Sequence, residues 1–346
     1  MIHIDLLSKY RTELMGLSIL LIMLFHSSFI FSNGLALHIE RTILDELSIG
    51  CGGGNLLIFR ILDIGVDFFS IISGFGLYRS LSKNWDIKQF YIKRFNRILP
   101  ATLIVTSFYV LCHNEEFCLN TIKGVARAFL EITTLSTFRG HLLFWFITYI
   151  LLCYVITPYL FRFINLLRRQ SHSTLCLLLS VVLIYVLSYL VLPMVNPLGS
   201  MIYHRIPSFY VGLCIGLAIE KNCKCHTLII HVLSIIGIFI TIICRNFHQP
   251  EAIMRTCYFI FSLPILLSIS HMFSCISWRH LHIMFSFLGG LTLELYLLHE
   301  RFALYYCNTY ISNGMFAVVL SFLLAIVGAY VYHKIIDNAR KLLVFH

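Results

Sequence analysis

The chain is 346 residues long, 59% hydrophobic and only 12% charged, with a mean hydropathy of +0.85 and a formal net charge of +10. A soluble core of this size does not need so much apolar residue, whereas bilayer spans of about 17–25 residues do, so a soluble globular protein is excluded. The positive balance fits loops that set membrane orientation, and no nucleic-acid partner is expected.

The N-terminus carries Asp5, Lys9, Arg11 and Glu13 and enters a full-length span without a signal-peptide pattern, so it is expected to be retained. Ten spanning helices are predicted, at about 14–33, 57–79, 94–112, 142–162, 173–192, 203–220, 227–244, 252–270, 283–304 and 313–334. Helices are the default because backbone groups in lipid need partners inside the segment. The fold class is therefore all-α, a polytopic integral membrane protein. Residues 1–346 read as one membrane domain with no soluble domain. Connections are short apart from 34–56 and 113–141, both long enough to fold back on the membrane. Residues 121–138 mix Lys123, Arg127 and Glu131 with apolar residues, the composition of an interfacial helix. With both termini cytoplasmic, most of the 26 Lys and Arg fall on the inner face, which supports an N-in, C-in orientation. The 12 cysteines lie mostly in spans and lack metal-ligand spacing, so no metal is expected. Cys112 and Cys118 would either bridge across an outer loop or stay free thiols.

One residue in the first span stands out. His26 lies 12 residues beyond Leu14, about 18 Å into the membrane. An imidazole at that depth is costly and marks a functional site by default. Asp67, on the second span, lies at a similar distance from its inner end, so the two are expected to meet. A carboxylate on the far ring nitrogen would fix the tautomer and raise the basicity of a general base. The plainer reading is a buried polar pair that locks two helices.

Arg94 and Arg97, three residues apart, share a face at the inner mouth of the third span, with Pro100 expected in its first turns. Such a pair can clamp phosphates or simply anchor the helix at lipid headgroups. Ser70, Ser73 and Gly74 allow close helix packing. Trp145 and Tyr149 fit either an interfacial belt or a stacking surface for a sugar. Arg205 stands at the outer end of the sixth span, and Tyr296, His299 and Glu300 stand near the outer end of the ninth.

In this order, these elements resemble the acyltransferase-3 family of integral-membrane acyltransferases, over about residues 11–300. The first-span histidine of the family falls on His26, its Arg-x-x-Arg pair on Arg94 and Arg97, and its Phe-Phe-x-x-Ser-Gly signature on Phe68, Phe69, Ser73 and Gly74, with altered spacing. The Tyr-Leu-x-His ending falls on Tyr296 and His299. Met15 stands where the family has an arginine, with Arg11 one turn earlier as the nearest cation. Ile150 stands where some members have a glutamate, so that carboxylate role is either absent here or moved to another residue such as Glu300. Some members carry an extracytoplasmic domain after the last span. None is visible here, so transfer is expected to go directly to the final acceptor or a lipid-linked precursor.

The resemblance implies a multi-pass protein of the cell's inner, cytoplasmic membrane that moves an acyl group, most often acetyl, to a hydroxyl of a surface or lipid-linked glycan. Acetyl-CoA or another acyl-CoA would be the co-substrate on the cytoplasmic side, with no permanently bound cofactor, and the glycan would arrive from the outer side. The catalytic set would be His26, Asp67, His299 and Glu300. Arg94, Arg97 and Arg11 would hold the donor, and Trp145, Tyr149, Arg205 and Ser73 the acceptor. Direct transfer and an acyl-histidine intermediate both fit, and ping-pong kinetics would mark the second. The competing classes are a transporter or flippase for lipid-linked sugars and a non-catalytic subunit of a glycan assembly complex.

Overall fold

The computed structural model describes residues 1–31, 61–247 and 249–344. A strand β1 (Ile2–His3) precedes α1 (Arg11–Phe31), α2 (Ile64–Lys83), α3 (Ile87–Cys112), α4 (Ile122–Ile132), α5 (Trp145–Arg168), α6 (Ser173–Val186) and α7 (Ile206–Glu220). A second strand, β2 (Lys224–Cys225), leads to α8 (Thr227–Asn246), α9 (Glu251–Cys275), α10 (Arg279–Gly290), α11 (Thr292–Leu298) and α12 (Gly314–Val344). Among the described residues, eight segments are long and apolar enough to cross a membrane. The bent pair Arg279–Gly290 and Thr292–Tyr310 makes a ninth. Helix α1 has 21 residues, about 32 Å at 1.5 Å each, and covers the first predicted span up to Phe31. The chain is thus an all-α polytopic membrane protein. The predicted connection 34–56 lies outside the described residues.

Surface chemistry agrees. Leu178, Leu179, Val182, Leu183 and Leu190, on α6 and the turn after it, are all exposed. A soluble protein rarely tolerates so large an apolar patch, and lipid favours it. Helix α4 is capped by Thr121, whose Oγ1 accepts from the Gly124 N–H at 3.0 Å. At 11 residues it is too short to span. It exposes Ile122, Val125 and Phe129 along one stripe and buries Ala128, the amphipathic pattern expected at the interface. Helix α3 starts earlier than predicted because Asp86 caps it, accepting from the Gln89 N–H at 2.9 Å. Pro100 therefore falls in the helix interior rather than its first turns.

The chain divides into two compact units, residues 1–72 with 222–346 and residues 73–221. In the first, β1 pairs antiparallel with β2, and the Ile4 N–H donates to the Cys223 carbonyl at 3.1 Å. Helix α1 presses against α10 at two glycines: a Cβ on Gly16 would strike the Phe285 carbonyl, and one on Gly289 would strike that of Thr12. Such close approach is how helices in lipid gain packing energy. In the second unit, Gly74 packs on the Phe209 backbone and Gly216 on the Tyr78 ring. Ser180 and Tyr210 hydroxyls, 2.8 Å apart, tie α6 to α7. Cys112 and Cys118 are free thiols.

Candidate active site

The site lies in the first unit, where α1 meets the segment after the α10–α11 bend. That bend measures 65°. Helix α11 then passes at His299 into a π-helical turn, His299–Leu304. The His299 backbone N–H still donates to the Leu295 carbonyl, and the imidazole adds a second bond there. His299 Nδ1 lies 2.8 Å from the Leu295 carbonyl and 3.1 Å from that of Tyr296. Single π turns of this kind recur at functional sites.

Carbonyls only accept, so His299 Nδ1 carries the proton and its Nε2 offers a lone pair. His26 Nδ1 lies 2.8 Å from that Nε2. For neutral rings His26 Nδ1 must therefore be the donor, which leaves His26 Nε2 unprotonated. The backbone carbonyl of Leu295 thus sets the tautomer of His26 through His299. On the open side, His26 Nε2 lies 3.6 Å from Glu300 Oε2, and the other Glu300 oxygen is 3.2 Å from Arg301 Nη2. His299 is buried, and His26 and Glu300 are half-buried. One donor atom from each of the three lies within 4.8 Å of the others, so two imidazoles and a carboxylate could share a divalent ion. The hydrogen-bond chain accounts for the same geometry without one.

The contact expected between His26 and Asp67 is replaced by these partners. Gly65 packs on Ser18, Leu21 and Ile22 of α1. This register brings Asp63 into electrostatic reach of His26. Asp67 is buried in the electrostatic neighbourhood of Arg255 and Tyr258. Arg255 is buried too and binds Asp63 at 2.5 Å and Glu251 at 2.5 Å. Buried Glu294 pairs with His333 at 2.9 Å between α11 and α12. Arg255, Arg301, Glu294 and His333 all lie in or at the end of predicted spans, the signal that singled out His26. Arg11 is the exposed first residue of α1, and Met15 is half-buried.

The other expected site residues belong to the second unit. The structure brings three of them together: the Arg205 guanidinium lies 4.7 Å from the centre of the Trp145 ring, and the Tyr149 hydroxyl donates to the Arg205 carbonyl at 3.0 Å. Tyr149 and Arg205 are fully buried, so Tyr149 is not part of a lipid-facing belt. Arg94 is half-buried over the Phe90 ring, Arg97 is exposed, and Ser73 is half-buried.

The chain is therefore a bundle of apolar helices that holds two hydrogen-bonded imidazoles, His26 and His299, at a membrane span. The family model for this kind of acyltransferase domain, acyltransferase-3, matches residues 14–334, and the chain belongs to that family: it is a multi-pass membrane acyltransferase. No curated protein and no solved structure matches the chain.

Proposed function

We propose that this acyltransferase moves an acyl group, most simply acetyl, from cytoplasmic acyl-CoA to a hydroxyl of a surface or lipid-linked glycan, in the inner membrane with both termini cytoplasmic. The observation that carries the reading is the Leu295–His299–His26 chain, which leaves His26 Nε2, the nitrogen facing Glu300, unprotonated and able to act as a base. The acceptor O–H gives its proton to His26 Nε2 as its oxygen attacks the thioester carbonyl. The C–S bond then breaks, and the thiolate takes the proton back from the imidazolium. Glu300 faces the nitrogen that becomes charged and stabilises it, and Arg301 holds Glu300 in place. Asp63 adds to that negative field, and buried Arg255 fixes Asp63. A placed base contributes about 10²–10⁴-fold. Arg94 and Arg97 supply bidentate donors for the phosphates of the donor. Trp145, Tyr149, Arg205 and Ser73 remain the acceptor-side candidates. Arg11 and Asp67 then act at a distance, Arg11 on donor charge and Asp67 on the Arg255 cluster.

A transporter would place discontinuous helices in corresponding positions of both halves. The described residues hold one such bent pair. The proposal is tested by the mass of surface glycans in cells with and without the protein. One acetyl unit per repeat, lost with the gene, supports it; unchanged mass with altered glycan export supports transport instead.

A further inference from the structure

A cavity of about 740 Å³ opens in the second unit between the end of α2 and the end of α5. Its walls include Trp85, Phe161, Arg162, Asn165, Arg168 and Arg169. The Trp85 and Phe161 rings stack with centroids 5.2 Å apart and planes at 23°. The Arg162 guanidinium lies 5.0 Å from the centre of the Trp85 ring. Arg162, Asn165 and Arg169 stand at i, i+3 and i+7, so one face of α5 and its cap points all three the same way. Arg168 reaches towards Glu220 at 4.0 Å, a long and exposed pair that leaves much of its charge available. The volume is that of a small-molecule site.

Arginines at a helix end often do no more than anchor it at lipid headgroups. A headgroup, however, needs only charge. Here a concave site joins cations to a stacked indole and an amide. That set matches a phosphate carried on a planar heterocycle, which stacks on the rings while guanidiniums grip the phosphate. We infer that this cavity binds the nucleotide end of the acyl donor, with the purine against Trp85 and Phe161 and phosphate on Arg162 and Arg169. The inference rests on the acyl-CoA reading above for the identity of that nucleotide, and it leaves Arg94 and Arg97 for phosphate further along the donor.

The experiment uses the full chain in nanodiscs of zwitterionic lipid, with calorimetric titration of adenosine 3′,5′-bisphosphate. Saturable binding that competes with acetyl-CoA is expected. Arg162→Gln and Arg169→Gln should each weaken it about tenfold, the effect of losing one charge-assisted bond. Trp85→Leu should weaken it, and Trp85→Phe, which keeps a ring, should restore most of it. Inorganic pyrophosphate should bind far more weakly than the nucleotide. Melting temperatures within a few degrees of wild type show that the variants fold. Nucleotide binding unchanged in the arginine variants would overturn the inference. So would a site that ignores the nucleotide but responds, through the same arginines, to added phosphatidylglycerol, since a headgroup site would then be its role. His26→Ala separates this inference from the proposed reaction: it should abolish transfer and leave nucleotide binding intact. Binding through these arginines in a wild-type protein that transfers no acyl group would sink the reaction and keep the cavity.

Discussion

Replacing His299 with leucine removes the acceptor for His26 Nδ1–H and the link to the Leu295 carbonyl, while keeping an apolar side chain of moderate size in a buried position. The 2.8 Å bond between the two rings is then lost, and its donor is left buried. An unsatisfied buried donor costs about 1–3 kcal/mol, which His26 avoids by moving its proton to Nε2 and bonding Glu300. The lone pair then points away from the acceptor. At 1.36 kcal/mol per decade, the productive tautomer falls by about 5- to 150-fold, and kcat falls with it. KM for acyl-CoA should barely change, because His299 touches His26 and not the phosphate clamp. His299→Gln, whose amide oxygen can still accept, should recover part of the loss. The assay is transfer of labelled acetyl from acetyl-CoA by protein in nanodiscs, with kcat and KM measured separately. A His299→Leu enzyme within twofold of wild type, or one impaired only in KM, would refute the tautomer relay.

Glu300→Gln keeps shape and removes the charge facing His26 Nε2, 3.6 Å away; kcat should fall about tenfold, the loss of one charge-assisted contact, with donor KM unchanged in the same assay. Activity should fall on acidification once His26 takes up a proton, because a protonated imidazole has no lone pair to offer, and a rate independent of pH over the whole acidic range in which the protein stays folded would contradict the base role. Gly289→Ala should lower folded yield and melting temperature, since its Cβ meets the Thr12 carbonyl, whereas Gly290→Ala, whose Cβ has nothing within 4 Å, should be neutral or slightly stabilising.

Much of the fold was legible because a bilayer writes length and apolarity directly into the chain. Among the described residues eight segments, or nine with the bent pair, are long and apolar enough to span, and the amphipathic α4 was visible in its charge spacing. The short β1–β2 ribbon was not, since two-residue strands carry no period. Within the site, His26 was legible as a titratable group deep in a span, and His299 and Glu300 as titratable groups near a span end. Their mutual contact was not, because a 65° bend and a π turn decide which way α11 faces. The expected His26–Asp67 meeting rested on counting residues from helix ends. The packing of Gly65 on Ser18 shifts that count, so Asp63 comes into reach of His26 instead. Arg255 and Arg301 carried a readable signal as ionisable residues in or beside spans, yet only tertiary packing shows which carboxylates they hold.

The most direct measurement follows labelled acetyl from acetyl-CoA in purified wild-type and His26→Ala protein, matched for melting temperature and reconstituted in the same lipid. Donor-dependent label transfer by wild type that drops by two orders of magnitude or more in the variant is the expected result. Equal transfer by both proteins would contradict a base at His26.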